Sequence, residues 1–137
     1  MSGTYVLVID VSEVTTIEVG ALGTLEFDPR TYAYVGSAFG PGGFARIDRH
    51  RELARGDRDT RHWHVDYLLG HSRTTLEAAV RFPGADRECE LATDLPGDPV
   101  DEFGASDCDC RAHLLAAPSR DAVREAVLEA GGELAVE

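Results

Sequence analysis

Apolar and β-branched residues fill the stretch TYVLVIDV, residues 4 to 11, with hardly a polar position between them, a pattern that predicts a central strand covered on both faces. Val14 to Val19 and Thr24 to Phe27 flank Gly20-Ala21-Leu22-Gly23 as the arms of a hairpin. Asp28-Pro29-Arg30 then turns the chain into a further strand, Thr31 to Gly36. Three or four antiparallel strands are therefore expected to open the fold. Beyond Gly40-Pro41-Gly42-Gly43 the period becomes helical: Phe44, Ile47 and Leu53 are apolar among Arg46, Arg49, Arg51 and Arg55, and Gly56 is the stop. A charged loop, Asp57 to Arg61, leads to a short helix from His62 to Leu69 that ends at Gly70.

Thr74 to Phe82 alternates, with Leu76, Ala78 and Val80 on one face and Pro83-Gly84 behind it, which predicts a strand. Asp86 to Leu95 predicts a helix, Pro96-Gly97-Asp98-Pro99 a loop, and Arg111 to Ala117 a strand. Ser119 supplies the N-cap of a last helix that turns Val123, Ala126 and Val127 inward and stops at Gly131. Glu133 to Val136 follows as an edge strand. No repeat, low-complexity tract or linker interrupts this order. Residues 1–137 are thus expected to form a single domain of the α+β class, a small central, mostly antiparallel sheet flanked by helices.

Charge changes the picture. The chain has 25 Asp and Glu against 13 basic residues, all of them arginine, for a net charge of −12. Phosphate binding draws on basic side chains, so this balance counts against a nucleic-acid partner. It also suits a halophilic setting, where dense carboxylates hold water and the screening length falls to about 3 Å at 1 M salt. On that reading the composition reflects the solvent and not the ligand. No apolar run approaches the roughly 20 residues that cross a bilayer, and the N-terminus lacks a basic stretch followed by an apolar one, so a cytoplasmic protein without a membrane partner is expected. Cys89, Cys108 and Cys110 are an odd number without an export signal, which argues against a disulfide framework and leaves buried thiols or a metal site.

Gly3-Thr4-Tyr5 opens the first strand, Tyr34-Val35-Gly36-Ser37 ends a later one, and the next helix carries Arg46 with His50 one turn on. In this order the three features resemble the core of the GIY-YIG nuclease superfamily. The stretches YAYVGSAFGPGG, RHWHVDYLL, ECELA and FGASDCDCRAHLL are similar to an archaeal subgroup of uncharacterised GIY-YIG domains, also found joined to endonuclease III-like repair glycosylases. The two tripeptides stand farther apart than in most members, which the extra strands between Val11 and Thr31 account for. The resemblance implies a GIY-YIG-like fold and a nuclease dependent on Mg2+ or Mn2+ that hydrolyses DNA phosphodiester bonds in repair or recombination, with a repair glycosylase as a further partner.

Phosphodiester hydrolysis needs a positioned water, neutralisation of the phosphoryl oxygens and help for the leaving oxygen. Arg46 offers a planar, permanently charged fork for phosphate, and the resemblance makes it the catalytic arginine. Tyr5 or Tyr34 would act on the water, although a phenol pKa near 10 makes base catalysis demanding unless a metal or arginine lowers it. His50 shares a helix face with Arg46 and is placed to shuttle a proton. The resemblance puts a metal-holding glutamate at Glu88, with Glu90 as the fallback; magnesium keeps several waters and needs only one or two carboxylates. Gly36, with Ser37 beside it, would let the backbone approach the substrate closely.

Two further groups are candidates. Trp63 can stack on a base, and His64 with Asp66 can orient an imidazole or line a groove, core packing being the other reading of that block. Cys89, Cys108, Cys110 and His113 hold the donors of a tetrahedral zinc site, but Cys-x-Cys is tighter than a usual zinc knuckle, so buried thiols are the expectation. A GIY-YIG scaffold that binds nucleic acid or a protein without cutting is the alternative to an enzyme.

Overall fold

A computed structural model describes residues 3–19, 22–39, 43–56, 64–71, 73–100 and 113–136. Strand β1 (Gly3–Val11) is buried along almost all of its length because it runs through the middle of the sheet. β4 (Thr31–Ser37) pairs with it on one side and β5 (Thr74–Pro83) on the other, both antiparallel. Two short strands, β6 (Asp98–Pro99) and β7 (Leu114–Ala117), extend the sheet beyond β4, and β8 (Glu133–Val136) closes the far edge beside β5. The order is β6-β7-β4-β1-β5-β8, every pairing antiparallel.

Alternation along β1 divides the core in two. Tyr5, Leu7, Ile9 and Val11 join one cluster with Tyr34, Ile47, Leu53, Val65, Leu68 and Leu69, which come from β4, helix α1 (Ala45–Arg55) and helix α2 (His64–Leu69). Val6 and Val8 point the other way and meet Leu91, Leu95, Val123 and Val127 around helices α3 (Glu88–Asp94) and α4 (Arg120–Glu129). Burying each such aliphatic side chain stabilises the fold by about 1.5–3 kcal/mol. The result is an α+β fold with helices on both faces of an antiparallel sheet. Among the described residues no helix is long and apolar enough to cross a membrane.

Helix ends follow local chemistry. Gly56 adopts the left-handed conformation after Arg55 and stops α1 where the pattern predicts. Ser119 caps α4 by accepting a bond from the Ala122 amide at 3.1 Å.

The expected first hairpin does form, as β2 (Thr15–Glu18) and β3 (Thr24–Phe27), but it makes a separate two-stranded sheet instead of joining the main one. Ile17, Val19 and Phe27 turn inward, so the hairpin covers the core on the same side as α1 and α2. The strand predicted from Arg111 begins at Leu114 among the described residues, and its pairing creates β6 from what reads as a Pro-Gly loop.

Candidate functional site

The register of β1 against β4 places Tyr5 opposite Gly36 and Leu7 opposite Tyr34. The two tyrosines are therefore diagonal neighbours on the face that carries α1 and α2, with ring centroids 6.5 Å apart. Gly36 makes this possible, since any Cβ there would run into the Tyr5 ring. Gly3 has a similar reason: a side chain would strike the Phe82 carbonyl and the Phe44 ring. The glycine of each tripeptide is thus a packing requirement. At Gly36 the expected room for substrate is taken by Tyr5.

On α1, Arg46, Arg49, His50 and Leu53 follow one another at helical spacing along the face turned toward the sheet. Tyr5 Oη and His50 Nε2 lie 2.7 Å apart in a buried hydrogen bond. The imidazole is 5.5 Å from the Tyr5 ring and 6.5 Å from that of Tyr34, centroid to centroid. One turn earlier, Arg46 Nη1 donates to the Ser37 carbonyl at 2.5 Å, which fixes the guanidinium at the end of β4. Across the helix pair, Asp66 of α2 is fully buried and receives both arms of Arg49, Nη1 to Oδ1 and Nη2 to Oδ2, each at 3.0 Å. Its Oδ1 also stands 3.7 Å from His50 Nδ1.

Burial dominates the titration of this group. It raises the Tyr5 phenol well above its ordinary value of 10.0; nearby Tyr34, Asp66 and Glu88 add to the rise, and Arg46 opposes it. Tyr34 is raised by burial, then by Glu88 and Asp66, again against Arg46. His50 is lowered to about 4, because burial and the charges of Arg49 and Arg46 outweigh the attraction of Asp66. At neutral pH the resting site therefore holds two phenols and a neutral imidazole.

Glu88 comes from the layer on the opposite side of the sheet, at the start of α3, and its field reaches both phenols. Its Oε1 lies 3.7 Å from Nε2 of His113, whose pKa burial lowers. Glu90 points elsewhere: it pairs with Arg87 at the surface, 2.5 Å away. Of the two glutamates, Glu88 is thus the one near the tyrosines. A single part-buried carboxylate fits a magnesium or manganese ion that keeps its waters and completes its shell with substrate oxygens. Among the described residues no three His, Cys, Asp or Glu side chains assemble into a metal-holding group.

Cys89 is disulfide-bonded, which corrects the expectation of free thiols. Spacing along the chain cannot reveal such a bond, because the partner must be brought in by the fold. A bonded sulfur is no thiolate ligand, so one of the four suggested zinc donors is otherwise engaged. Cys108, Cys110 and Trp63 lie outside the described residues, and His64 is the first residue of α2.

Sequence reasoning did not assign Arg49 a role, and it did not connect Asp66 with His50. The carboxylate stands beside His50, a helix away. Two signals were there to be used: Arg49 is one turn after Arg46, and Asp66 is a lone charge in the apolar run Val65 to Leu69.

No curated protein and no solved structure matches this chain. One family model does, over residues 4–136, so the chain belongs to the family described as domain of unknown function DUF123.

Proposed function

We propose that this protein is a nuclease of the GIY-YIG type, a divalent-metal-dependent hydrolase of DNA phosphodiester bonds that works in a salt-rich cytoplasm. The observation that carries the reading is the meeting of Tyr5, Tyr34, His50, Arg46 and Glu88, from four separate elements, around the end of β4. These are the groups that phosphoryl transfer requires: a fixed cation, proton-transfer groups and an acid.

Arg46 binds a phosphoryl oxygen, its fork held in place by the Ser37 carbonyl. Tyr5 and Tyr34 stand as neutral phenols beside the reacting water, and Arg46 is the group that favours their ionised forms. His50 fixes the Tyr5 hydroxyl and takes its proton as the phenol passes one on from water. Glu88 would hold Mg2+ or Mn2+, which when bound supplies positive charge to the phosphoryl group. Because the phenols are raised by burial, proton transfer has to coincide with charge developing on the phosphate.

The test is cleavage of nicked, branched and single-stranded DNA by purified protein in molar salt with magnesium or manganese. Activity is expected with wild type and a loss of about 10²–10³-fold with Arg46→Ala, as for removal of a donor from a developing oxyanion. No cleavage under any of these conditions, or cleavage unchanged by Arg46→Ala, would remove the reading. The deep burial of both phenols favours a second one, a scaffold that binds nucleic acid or protein without cutting. DNA retention without cleavage, weakened by Arg46→Ala, would favour it, and co-purification with a repair glycosylase would point to an accessory role.

A further inference from the structure

The side chains nearest the proposed chemistry rest on a pair that is not itself part of it. Asp66 is fully buried, and a buried carboxylate persists only where its charge is met. Arg49 meets it with a two-pronged contact, 3.0 Å on each arm, which fixes the plane of the carboxylate as well as its charge. The same Oδ1 faces Nδ1 of His50 at 3.7 Å, a Coulombic contact longer than a hydrogen bond. On the far side of the ring, Nε2 is 2.7 Å from the Tyr5 hydroxyl. Among the described residues, the groups around the imidazole include Tyr5 of β1, Tyr34 of β4, Arg46 and Arg49 of α1 and Asp66 of α2.

We infer that Asp66, clamped by Arg49, is a positioning residue that selects the His50 tautomer and through it the direction of the Tyr5 hydrogen bond. A negative charge beside Nδ1 favours the proton on that nitrogen and leaves the Nε2 lone pair to accept from Tyr5. The Tyr5 hydroxyl then donates inward, and its oxygen keeps its lone pairs for a proton arriving from the site. With the opposite tautomer Nε2 carries the hydrogen and donates to Tyr5, so it has no lone pair left to take the phenol's proton. The hydroxyl direction is therefore set from α2, through the imidazole of His50. The catalytic consequence rests on the nuclease reading; the tautomer does not.

Nitrogen-15 NMR of histidine-labelled full-length protein in molar salt tests this directly. The expected wild-type spectrum shows His50 protonated at Nδ1. In Asp66→Asn the amide carbonyl turns to Arg49 and its NH2 group faces Nδ1, so the expected spectrum moves the proton to Nε2. Cleavage by that variant is expected to fall by about 10²–10⁴-fold in kcat with KM changed by less than about threefold, as when a catalytic imidazole is forced into the wrong tautomer. Protonation at Nε2 in the wild type, or an Asp66→Asn protein that folds and keeps Nδ1 protonated, would overturn the inference. So would a switched tautomer with undiminished cleavage in an active enzyme. If neither protein cuts DNA, the spectra still decide the tautomer and only the nuclease reading falls. Should the variant not fold, the wild-type tautomer alone decides.

Discussion

Replacing Gly36 by alanine tests the packing that brings the two tyrosines together. The new Cβ would overlap Cζ, Cε2 and Oη of Tyr5. Tyr5 has little room to withdraw: it is 2% exposed, β1 is held between β4 and β5, and its hydroxyl is bonded to His50. Overpacking a core by one methyl group costs about 1–3 kcal/mol. Moving the ring far enough to relieve it breaks the buried Tyr5–His50 hydrogen bond, which adds about 1–2 kcal/mol. The expected loss is about 2–5 kcal/mol, or a fall in Tm of roughly 4 °C for each kcal/mol in a chain of this size. Denaturant titration in molar salt measures it, with an unchanged m-value as the check that the denatured state is the same. A second background isolates the cause. In Tyr5→Leu the ring is gone, and adding Gly36→Ala should cost less than about 1 kcal/mol. If Gly36→Ala lies within about 0.5 kcal/mol of wild type, or costs as much without the Tyr5 ring as with it, the packing argument fails.

Acid should weaken the fold through His50. Its folded pKa, about 4, lies below the ordinary 6.5, so the unfolded chain takes up a proton first; stability is full above about pH 6.5 and declines as pH falls toward 4. Denaturation at stepped pH should show His50→Gln with a flatter decline than wild type over that window. Thiol titration of denatured, unreduced protein should find one free thiol per chain and three after reduction, because Cys89 is bonded and the chain has three cysteines; three before reduction would contradict the disulfide. Glu88→Gln should abolish metal-stimulated DNA cleavage while Glu90→Gln, removed from the site by its pairing with Arg87, should leave it within about twofold of wild type; equal losses would contradict the assignment of Glu88.

How far the sequence could be read depended on whether each feature was local. The unbroken apolar run of β1 announces a strand covered on both faces, and the helical spacing of Ile47 and Leu53 announces α1, because both are periodicities of a single element. The hairpin of β2 and β3 was visible as two strands, yet its place outside the main sheet was not. Inward residues such as Ile17 and Phe27 mark which face is buried, not which neighbour covers it. The candidate site divides in the same way. Tyr5, Tyr34, Arg46, His50 and Glu88 were nominated by resemblance, and the structure brings them near one another. Arg49 and its clamp on Asp66 join two helices, His113 with Glu88 joins the residue before β7 to a helix, and Cys89 is held in a disulfide. None of those pairings leaves a mark in local spacing.

The acidic composition and the proposed phosphate chemistry conflict only if charge acts at long range. In molar salt the screening length is about 3 Å, so carboxylates spread over the surface hardly repel a phosphate until it is in contact. What counts is which groups the anion touches. Arg49, Arg51, Arg73, Arg87 and Arg120 each face a carboxylate, and Arg30 donates to the carbonyls of Ala116 and Ala117, so these arginines serve the fold. Arg46 donates to the carbonyl of Ser37 at the end of the strand that bears Tyr34, and its charge acts on both phenols. On the proposed reading, then, phosphate recognition requires no basic groove, because the attraction is made at bonding distance, with Arg46 as a contact. On the same reading, net charge describes how this chain meets its solvent, and the junction of β1, β4, α1 and α3 describes how it would meet a phosphodiester.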